Sequence, residues 1–137
     1  MLGQGQFALA DLRLRDMTKT VLVADDSAII RKMLCRVFEA EEDYDLCAEA
    51  TNGQEAIELA LKHRPDLIIL DLSMPVLNGI DAARELKKLM PSVPIILFTQ
   101  YSDLSHIISR NDLIVDRIVS KADHEDLMVH VRALAPV

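Results

Sequence analysis

The chain has 137 residues, half of them apolar and 27% charged, with a formal net charge of −7, which is the make-up of one ordinary globular domain. The acidic balance argues against binding DNA or RNA through the chain's own field, because phosphate backbones attract basic patches. No apolar run approaches the ~20 residues a bilayer span needs, and the opening "MLGQGQFALADLRLRDMTK" lacks the basic start and unbroken apolar stretch of a signal peptide, so the cytoplasm is the expected compartment.

From Thr20 the pattern alternates. "TVLVA" (20–24) is a short β-branched run and predicts a buried strand. Apolar residues at 29, 30, 33, 34, 37 and 38 then follow helical spacing, with Ser27 placed to cap that helix. The apolar stripe of this helix is expected to face the core and not a partner. "YDLCAEA" (44–50) predicts a second strand, and "NGQEAIELALKHR" (52–64) a second helix that stops before Pro65. "DLIILD" (66–71) is apolar without alternation, as a strand buried on both faces would be. A third helix over 79–90 ends before Pro91, and "VPIILFT" (93–99) predicts a fourth strand. Residues 102–114 predict a helix capped by Ser102, 116–121 hold a short fifth strand, and 123–135 a last helix with Asp123 as its cap.

Strands joined through helices pair in parallel, and right-handed crossovers place helices on both faces. The expected fold is therefore a doubly wound α/β domain with a five-stranded parallel sheet, in the order 2-1-3-4-5 common to this class. Residues 1–18 lie outside the alternation and are expected to be a flexible extension, with the folded domain over 19–137. Cys35 and Cys47 match no metal or redox spacing and are read as small buried hydrophobes.

In open parallel sheets ligands sit beyond the carboxyl ends of the strands. Asp25 and Asp26 follow the first strand, Asp71 the third, Thr99 the fourth and Lys121 the fifth. Any one of these has an ordinary reading as a helix cap, a turn residue or a solvated lysine. Together they bring three carboxylates to one rim, where they repel and raise one another's pKa unless a cation lies among them. A small set of hard oxygen donors suits Mg2+ better than zinc. A nearby ammonium offsets further charge and can contact a phosphoryl oxygen.

This set, with "DLSMPVLNG" around Asp71 and "NGQEAIELA" after the second strand, strongly resembles the receiver domain of two-component response regulators, over roughly residues 19 to 135. The resemblance implies a flavodoxin-like fold of the single-domain chemotaxis-regulator kind. It implies that Asp71 accepts a phosphoryl group from a phosphohistidine on a histidine kinase or phosphotransfer protein. Mg2+ would be held by Asp26, Asp71 and the Ser73 backbone carbonyl, with Asp25 acting through water. Thr99 and Lys121 would bind phosphoryl oxygens. The chain would promote its own phosphorylation and dephosphorylation without being an enzyme. A downstream protein would bind the face made by the fourth helix, fifth strand and fifth helix, and a homodimer is left open. Pro75 stiffens the loop after Asp71, and Gly79 permits a tight entry into the third helix.

Two positions depart from the family pattern. The aromatic usually found three residues before the lysine is Ile118 here, so the usual aromatic switch cannot operate as such. Ala122 stands where many members have a cis proline, and a cis bond before a non-proline costs about 2.5–4 kcal/mol, so a trans bond is expected. Tyr101 is a candidate gate on attacking water. His63, His106, His124 and His130 show no ligand spacing and read as surface or boundary residues. "KADHEDL" resembles receivers attached to helix-turn-helix output domains, which leaves open a receiver fragment of a longer DNA-binding regulator. An aspartyl-phosphate phosphatase fits the spacing of the acids poorly.

Overall fold

A computed structural model describes residues 18–100 and 114–137. Residues 1–17, Tyr101, His106 and, but for Ile114, the helix expected over 102–114 lie outside the described residues. The elements run β1 (Lys19–Ala24), α1 (Ala28–Glu39), β2 (Tyr44–Ala50), α2 (Gly53–His63), β3 (Leu67–Leu70), α3 (Gly79–Leu89), β4 (Ile95–Thr99) and β5 (Arg117–Ser120), then a 3-10 segment over Lys121–Asp126 and α4 (Leu127–Leu134). The strands form one sheet in the order β2-β1-β3-β4-β5, and every pairing is parallel.

The core lies on both sides of this sheet, because successive side chains of a strand point to opposite faces. Leu22, Ile68, Leu70 and Leu97 pack with Ala56, Ala60 and Leu86 from α2 and α3. Val21, Val23, Leu67, Ile69 and Phe98 pack with Leu34 and Phe38 of α1 and Leu127 and Val131 of α4. The unbroken apolar run of β3 follows directly, since all four of its residues are buried. Burying one such side chain contributes roughly 1.5–3 kcal/mol, so the central strand is among the firmest parts of the fold.

Three helices open on a side-chain cap, the first of them the expected Ser27. Ser27 Oγ accepts the Ile30 N–H, Asn52 Oδ1 the Glu55 N–H and Asn78 Oδ1 the Asp81 N–H. Arg64 closes α2 in the left-handed conformation, immediately before Pro65.

The last helix departs from expectation. Asp123 does not cap it. Ser120 Oγ accepts the Ala122 N–H and opens a 3-10 segment in which Asp123 has φ −104° and ψ 34°. The α-helix begins at Leu127, and its N-terminal neighbour Asp126 makes no side-chain cap bond. The bond before Ala122 is trans, as expected. Two burial expectations are also corrected. Cys35 and Cys47 are free thiols of intermediate burial, and Cys47 packs against the edge of the core cluster on the α2–α3 side. Ile29 is 80% exposed, so only part of the α1 stripe is core. Leu34 and Phe38 are buried, whereas Ile29, Met33 and Val37 line a shallow groove with Lys32, Arg36 and His124. The cause is helical phase: an apolar stripe two residues wide turns its outer edge past the sheet.

Candidate functional site

The acids at the strand tips are fixed by the sheet itself. The Asp25 N–H donates to Ala50 O at 3.0 Å, and the Asp71 N–H donates to Ala24 O at 2.9 Å. The ladder therefore runs one residue past β1 and β3 and holds both backbones. Thr99 ends β4 and stands opposite Ser120 of β5, which places Lys121 next to the same rim. Asp25, Asp71 and Thr99 are buried, at 1%, 4% and 0% exposure, and Asp26 is exposed.

Carboxylate oxygens of Asp25, Asp26 and Asp71 all lie within 4.8 Å of one another. Lys121 Nζ is 2.8 Å from Asp25 Oδ2 and 3.4 Å from Asp71 Oδ2. The other Asp25 oxygen, Oδ1, accepts the Ser27 N–H at 2.8 Å. Burial first, and then the Asp25 charge, push the Asp71 carboxyl up to about 6, although Lys121 pulls the other way. For Lys121 burial opposes the charge, but its bonds to Asp25 and Asp71 outweigh burial and hold its pKa above the usual lysine range. Asp71 is thus a carboxylate whose negative charge is under-compensated, beside two other acids. All three donors are hard oxygens, one exposed and two buried, so the set fits a small hard cation approached from the solvent side.

The loop from Asp71 to α3 is shaped by close backbone contacts. The Gly79 N–H donates to Leu72 O at 2.9 Å, and a Cβ on Gly79 would overlap the Asp71 carbonyl. Gly79 is needed for that approach, not for an unusual dihedral, since no described glycine has positive φ. Gly53, the first residue of α2, donates to Leu77 O at 2.9 Å, and a Cβ there would overlap that carbonyl. Between them Val76 is 81% exposed and has φ 69°, and the Leu77 N–H donates across it to Pro75 O at 2.7 Å. That is a γ-turn of the rarer, positive-φ kind. Ser73 is exposed, two residues after Asp71.

The five side chains expected from the strand ends thus stand on one rim of the sheet. Two contributors were not singled out in the sequence. Arg31 donates from Nη1 to the Asp25 carbonyl at 2.7 Å, and Gly53 anchors the loop after β3. An arginine on the flank of a helix carries no local signal of such a contact, and "NG" at 52–53 signals a helix start and nothing of what the glycine touches.

A family model described as the response regulator receiver domain matches residues 21–132. The chain belongs to the response regulator receiver domain family. Among solved structures, the receiver domain of AraT, a response regulator from Geobacillus stearothermophilus, is 35% identical with a TM-score of 0.78, covering 87% of this chain and 94% of that one. The response regulator TrrA of Thermotoga maritima, solved in complex with Mg(2+)-BeF, is 33% identical with a TM-score of 0.75, covering 85% and 99%. Among curated relatives, the transcriptional regulatory protein PdtaR of Mycobacterium tuberculosis is 46% identical over 84 residues, which is 60% of this chain and 40% of that protein. A protein-glutamate methylesterase/protein-glutamine glutaminase of Hahella chejuensis is 42% identical over 83 residues, or 61% of this chain and 21% of that protein. The receiver match spans less than half the length of these curated relatives. In this receiver domain Ile118 pairs with Leu97 and packs against the core cluster on the α2–α3 side of the sheet. It is half-buried there.

Proposed function

We propose that Asp71 is the phosphoryl acceptor of this receiver and that Asp25, Asp26 and Asp71 hold a Mg2+ ion, with the Ser73 carbonyl as a further oxygen donor. The single observation that carries this reading is the meeting of three carboxylates within 4.8 Å, with Lys121 bridging two of them. A cluster so charged, with the central acid pushed up to about 6, is costly to the fold and is useful where a cation and a phosphoryl group come.

The chain's own residues take distinct parts. An Asp71 carboxylate oxygen attacks the phosphorus of a phosphohistidine. The P–N bond breaks, its electron pair returns to the imidazole, and an acyl phosphate forms. β3 holds the nucleophile still, so that the incoming group meets it in line. Lys121 and Thr99 bind phosphoryl oxygens, and Lys121 does so by giving up part of its contact with Asp71. Bound Mg2+ would supply charge neutralisation for the equatorial oxygens. Asp26, the exposed acid, would be one of the residues holding that ion.

The partners proposed on this reading are a histidine kinase or phosphotransfer protein upstream and a protein target downstream, docked on the face that includes β5 and α4. The proposed domain is residues 19–137, preceded by an extension over 1–18, in a cytoplasmic protein. A second reading, a receiver within a longer regulator, is favoured by the partial coverage of the relatives, 40% for PdtaR and 21% for the methylesterase. The reading frame downstream of Val137 decides between them.

The site is tested by incubation with Mg2+ and beryllofluoride or acetyl phosphate. Wild type is expected to bind the beryllofluoride and to gain one phosphoryl group from acetyl phosphate. Asp71→Asn is expected to do neither, and equal binding by that variant would remove Asp71 from the role.

A further inference from the structure

Arg31 lies on α1, and no part of the proposed chemistry uses it. Its side chain is only 18% exposed. Nη1 donates to the Asp25 carbonyl at 2.7 Å, and Nε lies 3.5 Å from Glu49 Oε1, near the end of β2. The Arg31 backbone N–H meanwhile donates to Ser27 O, so the same residue closes the first turn of the helix.

The Asp25 carbonyl belongs to the peptide group that leads into Asp26. A peptide group is planar, so fixing that oxygen fixes the direction in which Asp26 leaves the sheet. Asp25 has other anchors: its N–H on Ala50, its Oδ1 on Ser27 and its Oδ2 on Lys121. Asp26 is exposed, and among the described residues its carboxylate has no such set of partners. A charged donor on the preceding carbonyl therefore restrains the backbone from which the Asp26 carboxylate projects. Glu49 keeps the guanidinium from swinging into solvent.

We infer that Arg31 is a positioning residue for the metal site: its bond to the Asp25 carbonyl orients the Asp25–Asp26 peptide so that the Asp26 carboxylate faces Asp71. This rests on the proposed Mg2+ site. It has a consequence opposite in sign to plain electrostatics. A positive charge near the site repels a divalent cation, so removing it should tighten Mg2+ binding if charge alone matters. If orientation matters, removing Arg31 weakens binding. Outer partners that orient metal ligands are typically worth 10–100-fold in affinity.

The experiment is Mg2+ titration by calorimetry on the metal-free chain, with no phosphodonor present. Arg31→Met is expected to bind Mg2+ about tenfold more weakly than wild type. Arg31→Lys, which can still reach the carbonyl with one donor, is expected to recover part of the loss. Thermal unfolding of the metal-free proteins separates this from a general loss of fold, which would move the melting temperature and leave the affinity of the folded fraction unchanged. Should Arg31→Met not fold, Arg31→Gln replaces it, with loss expected in the same direction. Binding by the neutral variants as tight as wild type, or tighter, overturns the inference. Asp26→Asn separates the two levels. If wild type binds Mg2+ no better than Asp26→Asn, the metal site itself fails. If only the Arg31 variants match wild type, the site stands and the positioning role falls.

Discussion

Lys121 stands closer to Asp25 than to Asp71, with Nζ 2.8 Å from the first and 3.4 Å from the second. The lysine is thus anchored on the acid that is also held by Ser27, and it leans toward the acid proposed to react. Its side chain is 9% exposed, so little solvent screens either pair. Replacing it with an apolar chain of similar length, Lys121→Met, leaves two buried carboxylates facing each other without their cation. The expected cost is about 2–3 kcal/mol at pH 7. Lys121 lowers the Asp71 pKa, so carboxyl NMR should find the Asp71 midpoint above its wild-type value of about 6. An unmoved midpoint would mean that the ammonium does not bear on Asp71.

Asp71 makes the fold less stable as pH rises, which is the reverse of a salt-bridged aspartate. Its folded pKa is raised from 3.8 to about 6, so the folded state holds the proton more tightly than the unfolded one. Stability therefore falls between those two values and stays low above them. Asp71→Asn, which keeps shape and removes charge, is expected to be more stable than wild type by about 1–3 kcal/mol at pH 7–8 without metal. The gap should close on acidification below 3.8, where the wild-type carboxyl is neutral in both states. Saturating Mg2+ should narrow it from the other side, since only wild type keeps all three acids. Urea unfolding across pH, with chelator and with Mg2+, reads both effects.

A second acid contributes in the ordinary direction. Asp116 Oδ2 accepts the Ile95 N–H and the Lys87 ammonium, each at 2.8 Å, and Lys87 also donates to Val93 O at 2.8 Å. The pair clamps the end of α3 to the starts of β4 and β5. Burial raises the Asp116 pKa, but the bonds to Lys87 and Ile95 outweigh it and leave the pKa below the usual carboxylate value. The stabilisation is complete above the unfolded pKa and is lost as pH falls through the folded one. With the side chain 37% exposed, solvent screening reduces it, and Asp116→Asn is expected to cost about 1 kcal/mol at pH 7. Denaturant midpoints of the two proteins should converge in acid, and a gap independent of pH would contradict the assignment.

Val76 carries strain in the loop after Asp71. A β-branched residue at φ 69° is held there by the Leu77 N–H on Pro75 and by Leu77 O on Gly53. Strain of this kind costs of order 1–3 kcal/mol. Because the side chain is 81% exposed, Val76→Asn removes little packing and is expected to raise stability by about 1 kcal/mol. A fall in the melting temperature would show that the valine is held by contacts and not by the turn.

The sequence determined most of the architecture, because its signals are local. Strand and helix alternation follows from apolar spacing, and parallel pairing follows from the crossovers that alternation forces, while the strand order rests on what is common to the class. The strand-end acids Asp25, Asp26 and Asp71, with Thr99 and Lys121, were legible because a parallel sheet carries every strand end to one rim. The long-range consequences were not legible. Nothing local announces that Arg31 reaches the Asp25 carbonyl, that Leu77 leans on Gly53, or that Lys121 favours Asp25 over Asp71. The start of α4 at Leu127, four residues past the expected cap, and the exposure of Ile29 belong with these. Each depends on how one element packs against another, a distance that residue spacing does not contain. Burial also decided the chemistry at Asp71: an aspartate at a strand tip is ordinary in sequence, and its burial in the folded domain, with the Asp25 charge second, lifts its pKa to about 6.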